Sequence, residues 1–536
     1  MKAAQQTTAA ESEHAEHEDV RILHSMGYAQ ELHRRMGLFQ NFAISFSIIC
    51  ILAGGITAFP LSLSAAGGAS LGIGWPLACA FALLVACSLG QVASAYPTAG
   101  GIYHWASMLG NRGYGWTAAW LNLLGLMFVV SSVNFGVFLL FRDLFLGLAL
   151  GMDTSSWTSA AMFDRGWWTQ TIFLTVITIS QAIINHYGIG LTTKLTDFSG
   201  YLIFAGATLL TITLLAVAPS LEFSRLFTFT DMTGAAGGDV WAPAGDRWLA
   251  AFMPAVGVAF FLGLLQGVYT ITGFDASGHT SEETRNAASE VPKGMIHSVL
   301  WSGVFGYVMV CSFVLVLPSV AEGAAKGWTS FNLVLEQIKA VWLRDLLIVV
   351  IVVANYLCAL AGLTSCSRML FAFARDGGVP WFSGSLRKVS KSYRTPAVAI
   401  WASAGLAIAA TLYGNVFVVL STGCAVFLYV SYVMPIAAGL VTEGKTWTKK
   451  GPFNLGALSK PIAVLAIIGC ILLIIVGVQP PNQKVGYLLF WGLIALGVIW
   501  WTVERKRFAG PPLTPEAVAK RQAEIAAAER AIGEIR

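Results

Sequence analysis

The first residues suited to chemistry are a pair of adjacent glycines inside a long apolar stretch. Gly54 and Gly55 stand between Ala53 and Ile56, shortly before Pro60. An unwound turn here would free backbone N–H groups at the start of the following half-helix, where the helix dipole favours an anion such as a carboxylate. Glycine is also common at close helix contacts, which is the alternative explanation. We favour the unwound turn, and a side chain at Gly55 is then predicted to enter the ligand space.

A second glycine-containing stretch carries a carboxylate. Thr270 and Thr272 can satisfy freed backbone groups, Gly273 weakens the helix, and Asp275 follows within the same apolar run. A charge at the centre of a membrane helix costs about 2.5–3.5 kcal/mol on insertion scales, so it is tolerated only for a reason. The alternative places Asp275 near the membrane edge, solvated with nearby glutamates. We favour a functional Asp275 beside an unwound turn.

The composition indicates the solvent in which these stretches lie. Of the 536 residues, 56% are hydrophobic and 11% are charged, whereas a soluble protein carries about a quarter charged residues. Long apolar runs recur along nearly the whole chain, so most of it is predicted to lie in a lipid bilayer. A secreted protein, a soluble enzyme and a nucleic-acid-binding protein are therefore excluded, and the net charge of +5 is assigned to the loops.

The sequence shows little sign of enzyme or metal chemistry. All eight cysteines fall in apolar runs and no two have the Cys-x-x-Cys spacing, so neither a disulfide framework nor a zinc site is predicted. Asp275 and His279, one helical turn apart, are the only intramembrane pair that a membrane enzyme could use. We expect no enzyme activity, no metal and no cofactor.

The apolar runs predict an all-α membrane protein with twelve transmembrane helices. A hydrocarbon core about 30 Å thick needs about 20 apolar residues per helix. The runs are continuous rather than alternating with a period of two, which excludes membrane strands. The predicted spans are 38–66, 72–95, 114–147, 168–186, 197–218, 248–279, 295–318, 343–374, 396–413, 415–441, 461–478 and 484–503.

Loop charge predicts the direction in which the chain crosses the membrane. Lys and Arg concentrate before the first span, in alternate loops and after the last span. Loops rich in these residues stay in the cytoplasm, so both termini are predicted to be cytoplasmic. We expect a multi-pass protein of the plasma membrane (the inner membrane of a bacterial cell) that contacts lipid.

The two interruptions fall in the first and sixth predicted spans. Their separation by five spans predicts an inverted repeat of five plus five helices with a site near the bilayer midplane. Residues 38–218 would form the first repeat and 248–441 the second, while the last two spans, 461–503, lie outside it. Together they form one 12-helix domain of residues 21–510.

Both tails differ in composition from the membrane domain. Segment 1–20 is polar and acidic and is predicted to be a disordered cytoplasmic tail. In segment 511–536, Thr514 and Pro515 make a good cap and first turn, and apolar residues then recur every seven positions. We predict a cytoplasmic amphipathic helix there.

Several stretches resemble a known family when taken together and in order. They are the glycine pair at 54–55, then 95–105, 272–279 with 281–286, 367–380 and, more weakly, 451–456. On these stretches the chain resembles the amino acid-polyamine-organocation superfamily, and within it the amino acid/choline transporter family, which includes GABA and other amino-acid permeases. The resemblance covers roughly residues 25–510.

The resemblance implies the leucine-transporter type of fold, with alternating access and a substrate bound at the two breaks. Relatives place an aromatic gate at the position of Tyr269. Their usual Gly-Ser-Gly is Ala-Gly-Gly in this chain, so recognition of a carboxylate would fall on backbone donors. The implied substrate-binding residues are Ala53, Gly54, Gly55, Ile56, Asn122, Tyr269, Thr270, Thr272, Gly273 and Phe274.

The same resemblance suggests residues for ion coupling. Proton-coupled relatives carry a lysine near Lys194, whose ammonium fills the space of a sodium ion between the first and eighth spans; an anchor at a helix start is the alternative. A buried lysine can lose its proton. Asp275 matches an acidic position used in coupling, whereas Thr364 and Ser365 could be sodium ligands. Proton coupling is preferred to sodium coupling.

We therefore expect a secondary active transporter that imports GABA or another small amino acid by proton symport. The alternative is a permease for a polyamine, choline or another organic cation, or a substrate exchanger. A channel is not favoured because no ring of like charges or repeated filter occurs. The sequence predicts no particular oligomeric state.

Overall fold

The chain is almost entirely helical. The computed structural model describes residues 17–532 apart from 160, 236–239, 413–416 and 513, and within these residues there is no β-strand. The all-α prediction is therefore confirmed. The α-helices are Leu38–Ile49, Gly54–Thr57, Phe59–Ala66, Ala69–Gly72, Gly74–Ala95, Ile102–Leu109, Arg112–Leu140, Arg165–His186, Ile189–Val217, Ala255–Thr270, Ala276–His279, Ala287–Val316, Val320–Ala325, Ser330–Glu336, Val341–Arg375, Ser383–Leu386, Ala397–Thr411, Phe417–Thr442, Ser459–Gly477, Gln483–Ile499, Arg505–Arg507 and Pro515–Ile532.

These helices follow the order of the twelve predicted spans. Ten segments of the described chain are long and apolar enough to cross a membrane, and two shorter apolar helices, Ala255–Thr270 and Ala397–Thr411, fall at the sixth and ninth predicted spans. The sixth is short because its helix ends at Thr270, where the chain unwinds. Residues 413–416, between the ninth and tenth predicted spans, lie outside the described residues.

The fifth span begins earlier than its predicted limit at residue 197. The helix starts at Ile189, and its first turns are polar. The hydroxyls of Thr192 and Thr193 donate to the carbonyls of Gly188 and Ile189 at 3.3 and 2.8 Å. Because these hydroxyls bond within the helix, low hydropathy here does not end it.

The first span is broken just before the glycine pair. Its first half-helix ends at Ile49, Cys50 adopts a φ of 20°, and the helix resumes at Gly54. Pro60 fits into the first turn of the next helical piece, where its missing N–H has no partner to lose. The predicted interruption is therefore present.

The sixth span is broken at the second predicted interruption. Helix Ala255–Thr270 gives way to an unwound segment, and a single turn, Ala276–His279, follows. Gly273 has a φ of 84°, and a Cβ atom there would lie 2.3 Å from Cγ2 of Ile48. A positive φ and close contact with the first span together require glycine at this position.

The broken spans lie in the centre of the helix bundle. The first half-helix packs against the fifth, seventh and eighth spans, and the third packs against the eighth and tenth. The most apolar window of the first span is 89% buried, whereas that of the twelfth is 11% buried. Irregular backbone is tolerated in a membrane only inside protein, so the breaks are placed where they can persist and the last span is peripheral.

The N-terminal segment differs from the predicted disorder of 1–20. Residues 17–25 are helical, while 1–16 lie outside the described residues. The Asp19 carboxylate accepts hydrogen bonds from the backbone N–H groups of Asn286 at 2.6 Å and Ala287 at 3.0 Å. Asp19 thus caps the seventh-span helix, and this tertiary contact orders residues whose composition indicated disorder.

Candidate functional site

The two breaks meet at a small cavity inside the bundle. Five of the residues predicted to bind substrate line it: Ala53, Gly54, Tyr269, Thr270 and Thr272. Its volume is about 10 Å³, close to the minimum that holds one water molecule. The cavity is therefore closed in this conformation and must widen to admit any molecule larger than water.

The first break leaves several backbone donors without partners. The N–H groups of Gly54 and Ile56 donate to the carbonyls of Cys50 and Ala53 at 3.1 and 3.2 Å. In the part of the chain that the structure describes, the N–H groups of Ile51 and Leu52 donate to no carbonyl or side chain, and neither does the Gly55 N–H. This amide stands in the first turn of a half-helix, where a carboxylate is favoured.

The sixth break offers unpaired backbone acceptors. The hydroxyls of Thr270 and Thr272 donate to the carbonyls of Gln266 and Tyr269, each at 2.7 Å. The carbonyl oxygens of Thr270 and Thr272 accept no hydrogen bond from any described residue. These two oxygens can therefore accept hydrogen bonds from an ammonium group.

The glycines of the first break have different surroundings. A Cβ atom at Gly54 would lie 2.9 Å from the Cα atom of Thr270, so the two breaks approach closely at this point. A Cβ atom at Gly55 would instead lie 3.0 Å from Cε of Met309 in the seventh span. The expectation that a side chain at Gly55 enters the ligand space is wrong, because this residue faces the neighbouring helix.

Asp275 is fully buried in a hydrogen-bonded cluster. Its Oδ1 accepts from the Tyr432 hydroxyl at 2.7 Å, and its Oδ2 accepts from Nδ2 of Asn122 at 3.0 Å. Nε2 of His279 lies 3.1 Å from the same Oδ2, and Nδ1 of His279 lies 3.1 Å from the Ala99 carbonyl oxygen. A carbonyl only accepts, so Nδ1 carries a hydrogen and the Asp275–His279 contact holds one further proton. Wherever that proton resides, the pair has no net charge.

Five residues predicted to bind substrate lie outside the lining of the closed cavity, and Gly55, described above, is one of them. The Asn122 side chain donates a hydrogen bond to the Asp275 carboxylate instead. The Gly273 N–H donates to the Tyr432 hydroxyl at 3.3 Å, and Phe274 packs against the Tyr432 ring with centroids 5.1 Å apart. Ile56 lines a different, outer cavity. The sequence spacing identified the breaks but not which side of each turn faces the cavity.

Lys194 does not fill the space between the first and eighth spans in this structure. Its side chain is exposed, whereas Thr192 and Thr196 on the same helix are buried. Successive residues of an α-helix rotate by about 100°. Lys194, two positions from each threonine, therefore points away from the face that packs on the first span.

The two predicted sodium ligands differ in their partners. The Thr364 hydroxyl donates to Oδ1 of Asn185 at 2.7 Å and to the Leu360 carbonyl at 3.0 Å. The Ser365 hydroxyl is buried and has no hydrogen-bond partner among the described residues. Of the two, Ser365 has the free oxygen that a cation would need.

A larger outer cavity lies at the end of the bundle away from the termini. Its volume is about 410 Å³, and Ile56 and Thr57 of the first span line it. The third-span helix begins at Arg112, which donates to the carbonyl of Phe508 beside the C-terminal segment, and ends at Leu140 in the cavity wall. The cavity therefore lies on the face opposite to the one that holds the C-terminal segment and the N-terminal segment, whose Gly27 packs against Pro512; we call the face with these two segments the terminal face.

The face that carries the termini is closed by buried ion pairs. Glu282, just after the sixth span, contacts Arg375 at 2.7 Å, and Glu283 contacts Arg368 at 3.2 Å. Burial alone raises the pKa of Glu282, but the charge and hydrogen bonds of Arg375 outweigh it and lower the pKa. Two of the family-like stretches, 281–286 and 367–380, thus supply the partners of this closure.

Sequence reasoning missed part of the cavity wall. The remaining lining residues are Ile48, Ile49, Val129, Val133, Cys358 and Cys424. Sγ of Cys358 lies 3.2 Å from the Ile48 carbonyl oxygen, which the break leaves without a helical partner. None of these residues belongs to a sequence motif, so the sequence did not indicate them. By contrast, the position of His279 one helical turn after Asp275 indicated in advance that these two side chains could pair.

Comparisons with known proteins agree with this architecture. The family model described as "Amino acid permease" matches residues 36–504. The chain is 27% identical to "Amino-acid permease BAT1" of Arabidopsis thaliana over 514 residues, which cover 91% of this chain and 95% of the relative. It is 29% identical to "Amino-acid permease BAT1 homolog" of Oryza sativa over 463 residues, covering 83% and 85%. It is also 26% identical to "GABA-specific permease" of Saccharomyces cerevisiae over 530 residues, covering 92% and 86%.

The family match spans the helical domain that contains both breaks, the cavity between them and the closure on the terminal face. The relatives are permeases, not enzymes. The chain therefore belongs to the amino acid permease family of the amino acid-polyamine-organocation superfamily and is a multi-pass membrane transporter.

Proposed function

We propose that the protein imports a small amino acid, GABA or another, as a secondary active transporter working by alternating access. The observation that carries this proposal is the pairing of free backbone groups at the two breaks. The unpaired N–H groups of the first break, those of Ile51, Leu52 and Gly55, suit a carboxylate once the closed cavity widens, and the carbonyls of Thr270 and Thr272 suit an ammonium group. A zwitterion needs both kinds of partner when it leaves water.

The same groups discriminate between the candidate substrates. Choline has no N–H, so it cannot donate to the carbonyls of Thr270 and Thr272, and it has no carboxylate for the free N–H groups of the first break. A polyamine would bring additional ammonium groups against walls such as Val129 and Val133, where an unpaired charge is costly. An amino acid is therefore favoured, in keeping with the names of the relatives.

We further propose that the protein lies in the plasma (inner) membrane with both termini in the cytoplasm. The excess of Lys and Arg on that face supports this orientation. The outer cavity then faces the cell exterior and the ion-paired closure faces the cytoplasm. Substrate would enter beside Ile56 and Thr57.

For coupling we propose a proton carried by Asp275 and His279. Their contact already holds one proton, and Tyr432 connects Asp275 to the Gly273 amide within the sixth break. A change in that break would therefore alter the hydrogen bonds of the pair. Sodium coupling is the second candidate, because the Ser365 hydroxyl lacks a partner among the described residues.

Uptake into proteoliposomes tests these proposals. Purified protein is reconstituted, and uptake of labelled GABA, other small amino acids, choline and spermidine is measured with an inward proton gradient, an inward sodium gradient or neither. We expect a small amino acid to accumulate with the proton gradient and a protonophore to abolish accumulation. Choline or spermidine uptake without amino-acid uptake would overturn the substrate proposal.

Two outcomes of the same assay separate the remaining alternatives. Accumulation that requires sodium and ignores the protonophore would shift coupling to the Ser365 region. Uptake only into vesicles preloaded with amino acid would identify an exchanger, because net symport needs no internal substrate.

A further inference from the structure

The C-terminal helix, Pro515–Ile532, lies against the closure on the terminal face. Nη1 of Arg521 donates to Oδ1 of Asp376, the residue after the eighth-span helix, at 2.9 Å. The Asp376 side chain is fully buried, and that of Arg521 is 25% exposed. The helix is thus joined to the membrane domain by an ion pair that is buried at one end.

The Asp376 carboxylate joins four separate segments of the chain. Besides Arg521, its Oδ2 accepts hydrogen bonds from the hydroxyls of Tyr28 at 2.7 Å and Tyr103 at 3.0 Å, and Nε2 of His104 lies 3.1 Å away. Burial alone raises the pKa of Asp376, but the His104 hydrogen bond and the charge of Arg521 outweigh it and lower the pKa. The carboxylate therefore stays ionised and keeps these segments together.

A second contact holds the other end of the helix. Oε1 of Glu529 lies 2.7 Å from Nε2 of His24 and accepts from the backbone N–H of Gln30 at 3.1 Å. Just before the helix, Pro512 packs so closely on Gly27 that a Cβ atom there would be 2.5 Å from its Cγ. The helix is therefore attached both to the N-terminal segment and to the end of the eighth span.

These attachments connect the N-terminal segment to the end of the eighth span, and the two must separate if the site opens on the terminal face. The N-terminal segment leads into the first half-helix, where the Ser45 hydroxyl donates to the Phe274 carbonyl at 2.9 Å and contacts the Ser277 hydroxyl at 2.7 Å. Opening on this face parts those contacts. We propose that the C-terminal helix is an autoinhibitory latch that holds the terminal face closed through Arg521 and Glu529 and thereby slows opening toward the cytoplasm.

Accessibility of Ser45 tests the latch directly. Ser45 is fully buried, so a Ser45→Cys thiol in the full chain reacts with a maleimide only when the terminal face opens. Arg521→Gln removes the first attachment, and Glu529→Gln weakens the second. We expect either change to raise the labelling rate of this thiol by roughly three- to tenfold, because each removes a charge-assisted contact made only in the closed state.

The same helix offers a matched control. The Arg530 guanidinium is exposed and donates to the Ala526 carbonyl of its own helix at 2.9 Å, so Arg530→Gln should leave labelling unchanged. The chain without Ser45→Cys provides the thiol background, and size-exclusion chromatography confirms that each variant is folded. If the folded Arg521→Gln and Glu529→Gln proteins are labelled at the same rate as the Ser45→Cys protein without these changes, the latch proposal is wrong.

The inference rests on the alternating access proposed above, but its test needs neither a known substrate nor a known coupling ion. Uptake provides the second readout, and the initial rate should rise in the latch variants if opening toward the cytoplasm limits turnover. Altered labelling without transport of any compound tested would retain the latch and contradict the proposed substrate. Slower labelling in both variants would show that the helix favours opening instead.

Discussion

At the scale of single residues, the first break depends on one glycine of the adjacent pair. A Cβ atom at Gly54 would meet the Cα atom of Thr270 at 2.9 Å, whereas one at Gly55 would meet the terminal methyl of Met309 at 3.0 Å. A methionine side chain can move aside, but the backbone of the opposing break cannot. The contact between the two breaks therefore requires glycine at position 54 more strictly than at 55.

We accordingly expect Gly54→Ala and Gly55→Ala to differ in transport. Gly54→Ala should reduce the initial uptake rate by about 100-fold, because displacing the break moves the groups that bind substrate. Gly55→Ala keeps its N–H and should retain most of the uptake rate. Uptake of labelled substrate, normalised to surface protein, measures both, and equal losses would contradict the assigned packing.

The proposed proton site, Asp275 with His279, makes a second prediction at this scale. His279→Gln removes the ring that shares a proton with Asp275, and Asp275→Asn removes the carboxylate. We expect both variants to lose accumulation driven by a proton gradient while retaining exchange across equal pH. His297→Gln, at an exposed position of the seventh span, is the matched control. Normal accumulation by His279→Gln would remove this residue from coupling.

Lys194 provides an independent check on that assignment. Because its side chain is exposed, we expect Lys194→Ala to accumulate substrate as the parent chain does. Accumulation in proteoliposomes with an inward proton gradient is the measurement. If the variant binds substrate but cannot accumulate it, the lysine enters the bundle in another conformation, and the sequence expectation for its role would be restored.

At the scale of helices, the sequence predicted where spans lie and where two of them break. Hydropathy indicates whether a segment lies in lipid or in water, and glycine indicates where a helix can unwind. The spans and the interruptions could therefore be predicted. The sequence could not show that the first break begins at Cys50, because no glycine stands there although its φ is 20°. Nor could it show that Asn122 holds Asp275 or that Asp19 caps the seventh span, because tertiary packing decides such pairings.

The ion pairs on the terminal face make a prediction about stability. Glu283 and Arg368 are both fully buried and 3.2 Å apart, so Glu283→Gln leaves an uncompensated charge and should cost about 3–5 kcal/mol of unfolding free energy. The double variant Glu283→Gln/Arg368→Gln should lose less than the sum of the single changes. Denaturant unfolding in detergent measures these differences.

A half-exposed pair in the same region serves as the control. Lys293 contacts Glu290 at 3.0 Å with 49% and 15% of their side chains exposed, so Glu290→Gln should change the unfolding free energy by at most about 1 kcal/mol. Additive losses in the Glu283 and Arg368 double variant would show that the two side chains do not depend on each other.

At the scale of the whole molecule, the two faces of the bundle are unequal. One face has a cavity of about 410 Å³ beside the first span. On the other, the Glu282–Arg375 and Glu283–Arg368 pairs and the C-terminal helix close the way to the cavity between the two breaks. The cavity between the breaks and the terminal face are both closed, so we expect the first opening to be toward the outer cavity.

This asymmetry and the charge of the loops together predict which reagents reach the protein in cells. Asn332 lines the outer cavity, and Lys520 is exposed on the C-terminal helix. A membrane-impermeant maleimide added to intact cells should label Asn332→Cys but not Lys520→Cys, which should react only after permeabilisation. Saturating substrate should change the rate at Asn332→Cys, because closing and opening of the outer cavity accompany transport, and should leave the rate at Lys520→Cys in permeabilised cells unchanged. Labelling of Lys520→Cys in intact cells would show that the C-terminal helix lies outside the cell. The proposed orientation would then be wrong, and the latch would control opening toward the cell exterior instead.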